Sequence, residues 1–257
     1  GALSVGSNKN YKSHIGPVPG KVKFCEFNNS KHLKKLINKK TVAIIIEFVQ
    51  GDGGINICTK EFAKTIKEIC KKRKVLLIAD EIQGGIGRTG KIFAYKHYGV
   101  SPDIITSAKG LGSGIPIGAT IVKKEISKNI NIGFHGSTFG GGMLQTRVAY
   151  NVFKTINKTS FLNNVKSKGI LLEQLLNKLY SKHDVIKEVR IKGLMAGIEF
   201  KNSELALKIY KETSNHGLVT TLVKGTTIRI TPPLIITTEE IKKGIRIVSN
   251  CLEKIKN

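Results

Sequence analysis

Two periods alternate along the chain. Short unbroken apolar runs end abruptly in a polar group, and longer stretches space their apolar residues as one face of a helix. Val42-Ala-Ile-Ile-Ile-Glu47 and Val75-Leu-Leu-Ile-Ala-Asp80 are runs of the first kind. Such runs read as strands buried on both faces of a parallel sheet. Between them, 60–73 places Phe62, Ala63, Ile66, Ile69 and Cys70 on one helical face. Strand, helix and strand in that order predict a βαβ unit with a right-handed crossover. Two more strands are expected over 104–107 and 117–122, parted by the turn Gly110-Leu-Gly-Ser-Gly114.

The pattern changes near residue 150. Helices are expected over 143–157 and 161–182, short strands over 185–191 and 194–200, and a helix over 203–216. A strand around Ile228 and a helix over 238–255 follow, the helix started by Thr237 or Thr238 with Glu240 three or two residues on. The expected architecture is α/β. A mostly parallel large domain takes 1–150, and a small α+β domain takes 151–257.

Composition narrows the class. At 257 residues the chain can bury a sizeable core. Its longest apolar stretch, 42–49, is interrupted by Glu47 and too short to span a bilayer, so no membrane partner is expected. The net charge of +25 invites a nucleic-acid reading. Nearly all of it is lysine, however, scattered without aromatic interleaving, which favours solvated faces and no nucleic-acid partner. The four cysteines sit far apart with no C-x-x-C spacing, so neither a zinc cluster nor a disulfide framework is expected, and a reduced cytoplasmic setting is. The first residue is Gly1, so the natural start is expected to lie upstream.

The candidate chemistry sits at strand ends. Asp80 closes one apolar run, and Lys109 closes a second, Asp103-Ile-Ile-Thr-Ser-Ala-Lys109. Open α/β sheets carry their ligands at that carboxyl edge. An acid and an amine delivered there side by side suit pyridoxal 5'-phosphate, the acid facing the ring nitrogen and the amine forming a Schiff base. Lys109 stands out among many lysines because it follows a buried strand and precedes a glycine-rich turn.

Five segments in the same order sharpen this. Asp80-Glu-Ile-Gln-Gly-Gly-Ile-Gly-Arg-Thr-Gly90 and Thr106-Ser-Ala-Lys-Gly-Leu-Gly112 resemble the core of the class III (subgroup II) pyridoxal-phosphate aminotransferases. Glu47-Phe-Val-Gln-Gly-Asp52, His135-Gly-Ser-Thr-Phe-Gly-Gly141 and Arg229-Ile-Thr-Pro-Pro-Leu234 resemble three further segments of that family. The resemblance implies fold type I of pyridoxal-phosphate enzymes. It implies Asp80 and Lys109 as catalytic residues, Gln83 on the cofactor's phenolic oxygen, and Ile82 against a ring face. Thr138, with Ser137 beside it, would bind the phosphate of a partner subunit's cofactor, which implies a homodimer with shared sites. Arg229 would pair the substrate carboxylate, and Asp52 stands where relatives carry a glutamate that holds this arginine aside. Glu47 reads as a supporting acid, and His135, with no second His or Cys nearby, as structural.

The implied reaction moves an amino group from an N-acetylornithine-like donor to 2-oxoglutarate, as in arginine biosynthesis. Ornithine, 4-aminobutyrate and succinyl-diaminopimelate are alternative donors, and a catalytically degenerate relative is the alternative class. Phe48, Gly84, Gly110 and Gly142-Met143 depart from the family's usual residues. The family's upstream phosphate-cradling loop is not found in these residues, so the chain is expected to be the C-terminal part of a longer enzyme.

Overall fold

The first half is organised by three apolar runs that pair side by side. The computed structural model describes residues 1–8, 10–18 and 20–256. β1 (Ala43–Ile46), β2 (Leu76–Asp80) and β3 (Ile104–Ser107) are parallel neighbours, and β4 (Ala119–Val122) lies antiparallel to β3. Two short helices, α1 (Ala2–Val5) and α2 (Ser30–Leu36), precede the sheet, and α3 (Lys60–Arg73) connects β1 to β2. Thr59 starts α3 by accepting a hydrogen bond from the Phe62 amide at 3.1 Å, and Lys74 ends it in the left-handed region. The apolar face of α3 then buries Phe62, Ala63 and Ile66 against Leu77 and Ala79, with Leu33 of α2 alongside.

The opposite face of this sheet departs from expectation. Ile45 and Leu76 are 39% and 37% exposed, so the strands are not buried on both faces. Apolar sequence on both sides of a strand specifies what the strand is built to be covered by. Among the described residues, helices cover only one side.

The second half forms a separate antiparallel sheet. β5 (Ile186–Lys192), β6 (Met195–Phe200), β7 (Thr221–Val223) and β8 (Thr227–Ile230) pair in the order β5-β6-β8-β7. After the short α4 (Lys124–Ser127) and α5 (Met143–Ile156), three helices build this region: α6 (Thr159–Lys182), α7 (Ser203–Asn215) and α8 (Thr238–Lys256). Their apolar faces and the sheet share one core that includes Leu172, Leu176, Ile198, Phe200, Ile209 and Val248. Thr237 and Glu240 exchange hydrogen bonds at the start of α8, as the sequence predicts. The Thr237 amide donates to Glu240 Oε2 at 2.8 Å, and the Glu240 amide donates to Thr237 Oγ1 at 3.2 Å. No described helix is long and apolar enough to cross a membrane.

Two loops join the halves. Residues 49–57 fold back through a Val49–Ile57 bridge and bury Ile55 against Met195 at the start of β6. Arg88 and Thr89 pack on Gly193 and Leu194, between β5 and β6, and this approach depends on glycine. A Cβ on Gly193 would stand 2.5 Å from the Thr89 carbonyl carbon, and one on Gly169 would stand 2.8 Å from the Gly193 backbone.

Candidate active site

The parallel strands deliver acids to one edge. Asp80 is the last residue of β2 and is level with Thr106 of β3. Its Oδ1 accepts from the Ile82 amide at 3.1 Å and from the Thr106 hydroxyl at 3.2 Å. Glu47 follows β1 and accepts from the Gly51 amide at 3.0 Å. Burial raises its carboxyl above the ordinary range against that amide bond. The charges of Asp80 and Asp52 push the same way, and Lys109 opposes. The electrostatics of one acid therefore register Asp80, Asp52 and Lys109 together. Lys109 opens a 3-10 turn (Lys109–Leu111) beyond β3, with φ at +45°. A non-glycine residue in that region is strained, and such strain concentrates at functional sites. Its side chain is exposed rather than enclosed.

Across this edge stands β8. Arg229 reaches from it so that Nη1 donates to Asp52 Oδ1 at 2.6 Å and to Gln83 Oε1 at 2.9 Å. Asp52 is one methylene shorter than glutamate and still reaches the guanidinium, because the 49–57 loop brings it close. Partial burial works against ionisation of Asp52. The hydrogen bonds from Arg229 and Gln83, and the charges of Arg229 and Lys109, outweigh it and hold the carboxyl below its ordinary value. Arg229 Nε is buried without a partner among the described residues. A cavity of about 790 Å³ opens here, lined by Ile82, Gln83, Lys109 and Arg229 among others. That volume suits a cofactor-sized ligand.

The family profile described as Aminotransferase class-III matches residues 1–252. The chain belongs to the class III aminotransferases. It is 41% identical to an acetylornithine aminotransferase of Caldanaerobacter subterraneus subsp. tengcongensis over 256 residues, which are 100% of this chain and 65% of that protein. It is 37% identical to a succinylornithine transaminase of Yersinia pseudotuberculosis, with 98% of this chain and 62% of that protein covered. Among solved structures, it superposes with a TM-score of 0.90 at 28% identity on an ornithine aminotransferase of Toxoplasma gondii. That match covers 97% of this chain and 60% of the other, whose structure has partial occupancy of pyridoxal phosphate at its active site. The chain thus spans under two thirds of the length of these relatives. The fold is that of type I pyridoxal-phosphate enzymes, with the parallel sheet of that fold present in part.

Within this class III chain, the expected residues divide into two groups. Asp80, Ile82, Gln83, Lys109 and Arg229 come together at the sheet edge. Asp80 is not itself in the cavity lining, but it holds the amide of Ile82, which is. Ser137 and Thr138 do not join them and lie exposed on a surface segment, as does His135. His135, expected to be structural, makes no buried contact among the described residues of the single chain.

Family departures are accommodated locally. Phe48 is buried and stacks on Tyr98 with ring centroids 5.1 Å apart. A Cβ on Gly84 would press to 3.3 Å from the Ala94 Cβ, whereas one on Gly110 would make an ordinary 3.5 Å contact with Ile86.

Three residues escaped the sequence reading. Gly51 leaves the space that Gln83 fills, since a Cβ there would fall 2.0 Å from Gln83 Oε1. Glu81 is buried behind Asp80, accepts from the Ala94 and Tyr95 amides, and is pushed up to about 7, first by burial and then by Asp80 against those two bonds. Arg190 of β5 donates from Nε to the Gly54 carbonyl at 2.9 Å and from Nη1 to Glu199 and Glu188, anchoring the loop that carries Asp52. A glycine beside a motif glutamine was the only local signal, because the other contacts join residues distant in sequence.

Proposed function

We propose that the whole protein is a pyridoxal-phosphate aminotransferase that moves an amino group from an N-acetylornithine-like donor to 2-oxoglutarate. The observation that carries this reading is Lys109, held in a strained turn on the rim of a cavity shared with Gln83 and Arg229, beside the strand that ends in Asp80. The residues fit the cofactor. Both hydrogen bonds to Asp80 fall on Oδ1, leaving Oδ2 for a protonated ring nitrogen. Gln83 accepts from Arg229 through Oε1 and gives one amide N–H to Asp52, leaving the other N–H for a phenolic oxygen. Ile82 offers an apolar surface for a ring face.

Once bound, pyridoxal phosphate supplies an electron sink that makes the donor's C–H bond next to nitrogen acidic. The chain's own residues do the rest. Lys109 would hold the cofactor covalently, and its Nζ, freed when the donor amine takes its place, would carry a proton away from carbon and return it. Asp80 keeps the ring nitrogen charged. Arg229 presents a guanidinium fork to a carboxylate. Asp52 accepts from one prong of that fork, Nη1, until a carboxylate displaces it. Ser137 and Thr138, exposed here, are assigned to the cofactor phosphate of a second subunit, which makes the active unit a homodimer. The exposed apolar residues Ile132, Phe134, Phe139 and Met143 flank them and fit a covered interface. The two sheets are assigned to a large domain, 1–150, and a small domain, 151–257, and the setting is taken as the cytoplasm.

The experiment is the visible spectrum of the full-length protein with cofactor, followed by bleaching with candidate donors. N-Acetylornithine should bleach the band faster than ornithine, 4-aminobutyrate or succinyl-diaminopimelate. Lys109→Ala should remove the lysine-linked band and lower turnover by several orders of magnitude. A variant that kept both would sink the assignment.

A further inference from the structure

Arg88 lies in the glycine-rich loop after β2, five residues beyond Gln83. Its side chain leaves its own sheet. Nη1 donates to the Leu194 carbonyl at 3.0 Å and to the Pro232 carbonyl at 2.5 Å, and the Leu194 amide returns a bond to the Arg88 carbonyl at 3.0 Å. Leu194 is buried at the entrance to β6, and Pro232 follows β8, three residues past Arg229. β6 and β8 are paired neighbours, with Gly197 opposite Arg229. One guanidinium from the Gln83 loop therefore grips both the strand that carries Arg229 and the strand beside it.

We propose that Arg88 is a positioning residue that fixes Arg229 against Gln83 and Lys109, and so sets the site's grip on substrate carboxylates. This rests on the functional reading above. Two observations favour geometry over stability as its role. No ion pair to a carboxylate is formed by Arg88 among the described residues, and burial lowers its guanidinium to about 10. A desolvated cation held only by carbonyls is a poor way to stabilise a junction that apolar residues could fill. It is a good way to fix one, because the planar guanidinium donates along set directions. Its side chain also lines the same cavity as Arg229.

The test uses the full-length, cofactor-loaded protein with Arg88→Gln, Arg88→Lys, Arg229→Gln and the double variant Arg88→Gln/Arg229→Gln. Calorimetry with glutarate, an unreactive dicarboxylate, reads the grip directly. Crystals of both single Arg88 variants read the Arg229 Nη1–Gln83 Oε1 contact. Either Arg88 change should lengthen that contact and weaken glutarate about tenfold, the scale of one misplaced charged hydrogen bond. The cofactor band should persist. The double variant should bind glutarate no worse than Arg229→Gln alone, because Arg88 acts through Arg229. An unmoved contact, or a fall in thermal midpoint alone, would overturn the proposal. Should the wild type itself ignore glutarate while the contact moves as stated, the aminotransferase reading fails and the positioning role stands.

Discussion

Gln83 is held by what its neighbour lacks. The side chain lies where a Cβ on Gly51 would be, and only its terminal amide atoms are in the way. Gly51→Ala should therefore leave folding nearly intact, because a flexible tip can move, while Gln83 loses its bond to Arg229. Thermal denaturation should shift by less than about 1 kcal/mol in stability, because the clash is relieved by moving one side-chain tip. The spectrum of bound cofactor should change clearly. A large loss of stability with an unchanged spectrum would contradict this. Some of this site is legible in the sequence because charged groups ending apolar runs have few other reasons to be there. Asp80 and Lys109 announce themselves in that way. The bond between Arg229 and Asp52 does not, since residues 177 apart meet only through the arrangement of two sheets.

At the scale of elements, glycines decide how closely the neighbours of the β5–β6 turn can pack. Gly169 in α6 and Gly193 between β5 and β6 touch backbone to backbone, and Gly193 has φ at +61° as well. Backbone cannot step aside as a side-chain tip can. Gly193→Ala should cost about 2 kcal/mol or more, combining left-handed strain with overpacking, and Gly169→Ala about 1–3 kcal/mol from overpacking alone. Chemical denaturation of the two variants checks both. The strands and long helices were readable because their apolar periods run for several residues. β7 was not, being three residues long, and α2 offers only Leu33 and Leu36 as apolar positions. The uncovered side of β1 and β2 shows the converse limit. Local pattern reveals which face is apolar and says nothing about whether a partner is at hand.

For the molecule as a whole, one buried and one half-buried group set opposing responses to pH. Glu81 is raised from its ordinary 4.5 to about 7, so its stabilising contribution is full below 4.5 and is lost as pH climbs to about 7. His97 is lowered from 6.5 to about 4, by burial first and then by the nearby charges of Lys192 and Lys91 against a bond to Thr89. Its contribution is full above 6.5 and is lost as pH falls to about 4. Glu47 follows Glu81 in sign, while Asp52 and Glu199, both lowered, titrate beneath this window. Denaturation midpoints measured across about pH 4.5 to 6.5 should therefore diverge between variants, since each leaves the other group unopposed. Glu81→Gln should grow less stable toward acid, and His97→Gln more stable. Slopes of equal sign in the two variants would refute the assignment.

The strained turn at Lys109 carries a cost that lineage history should expose. An L-residue in the left-handed region forfeits about 1–2 kcal/mol, and asparagine tolerates that region better than lysine. Lys109→Asn should accordingly raise the melting temperature while removing the proposed cofactor anchor. In a descendant released from selection for chemistry, replacing this lysine would therefore carry no penalty to the fold.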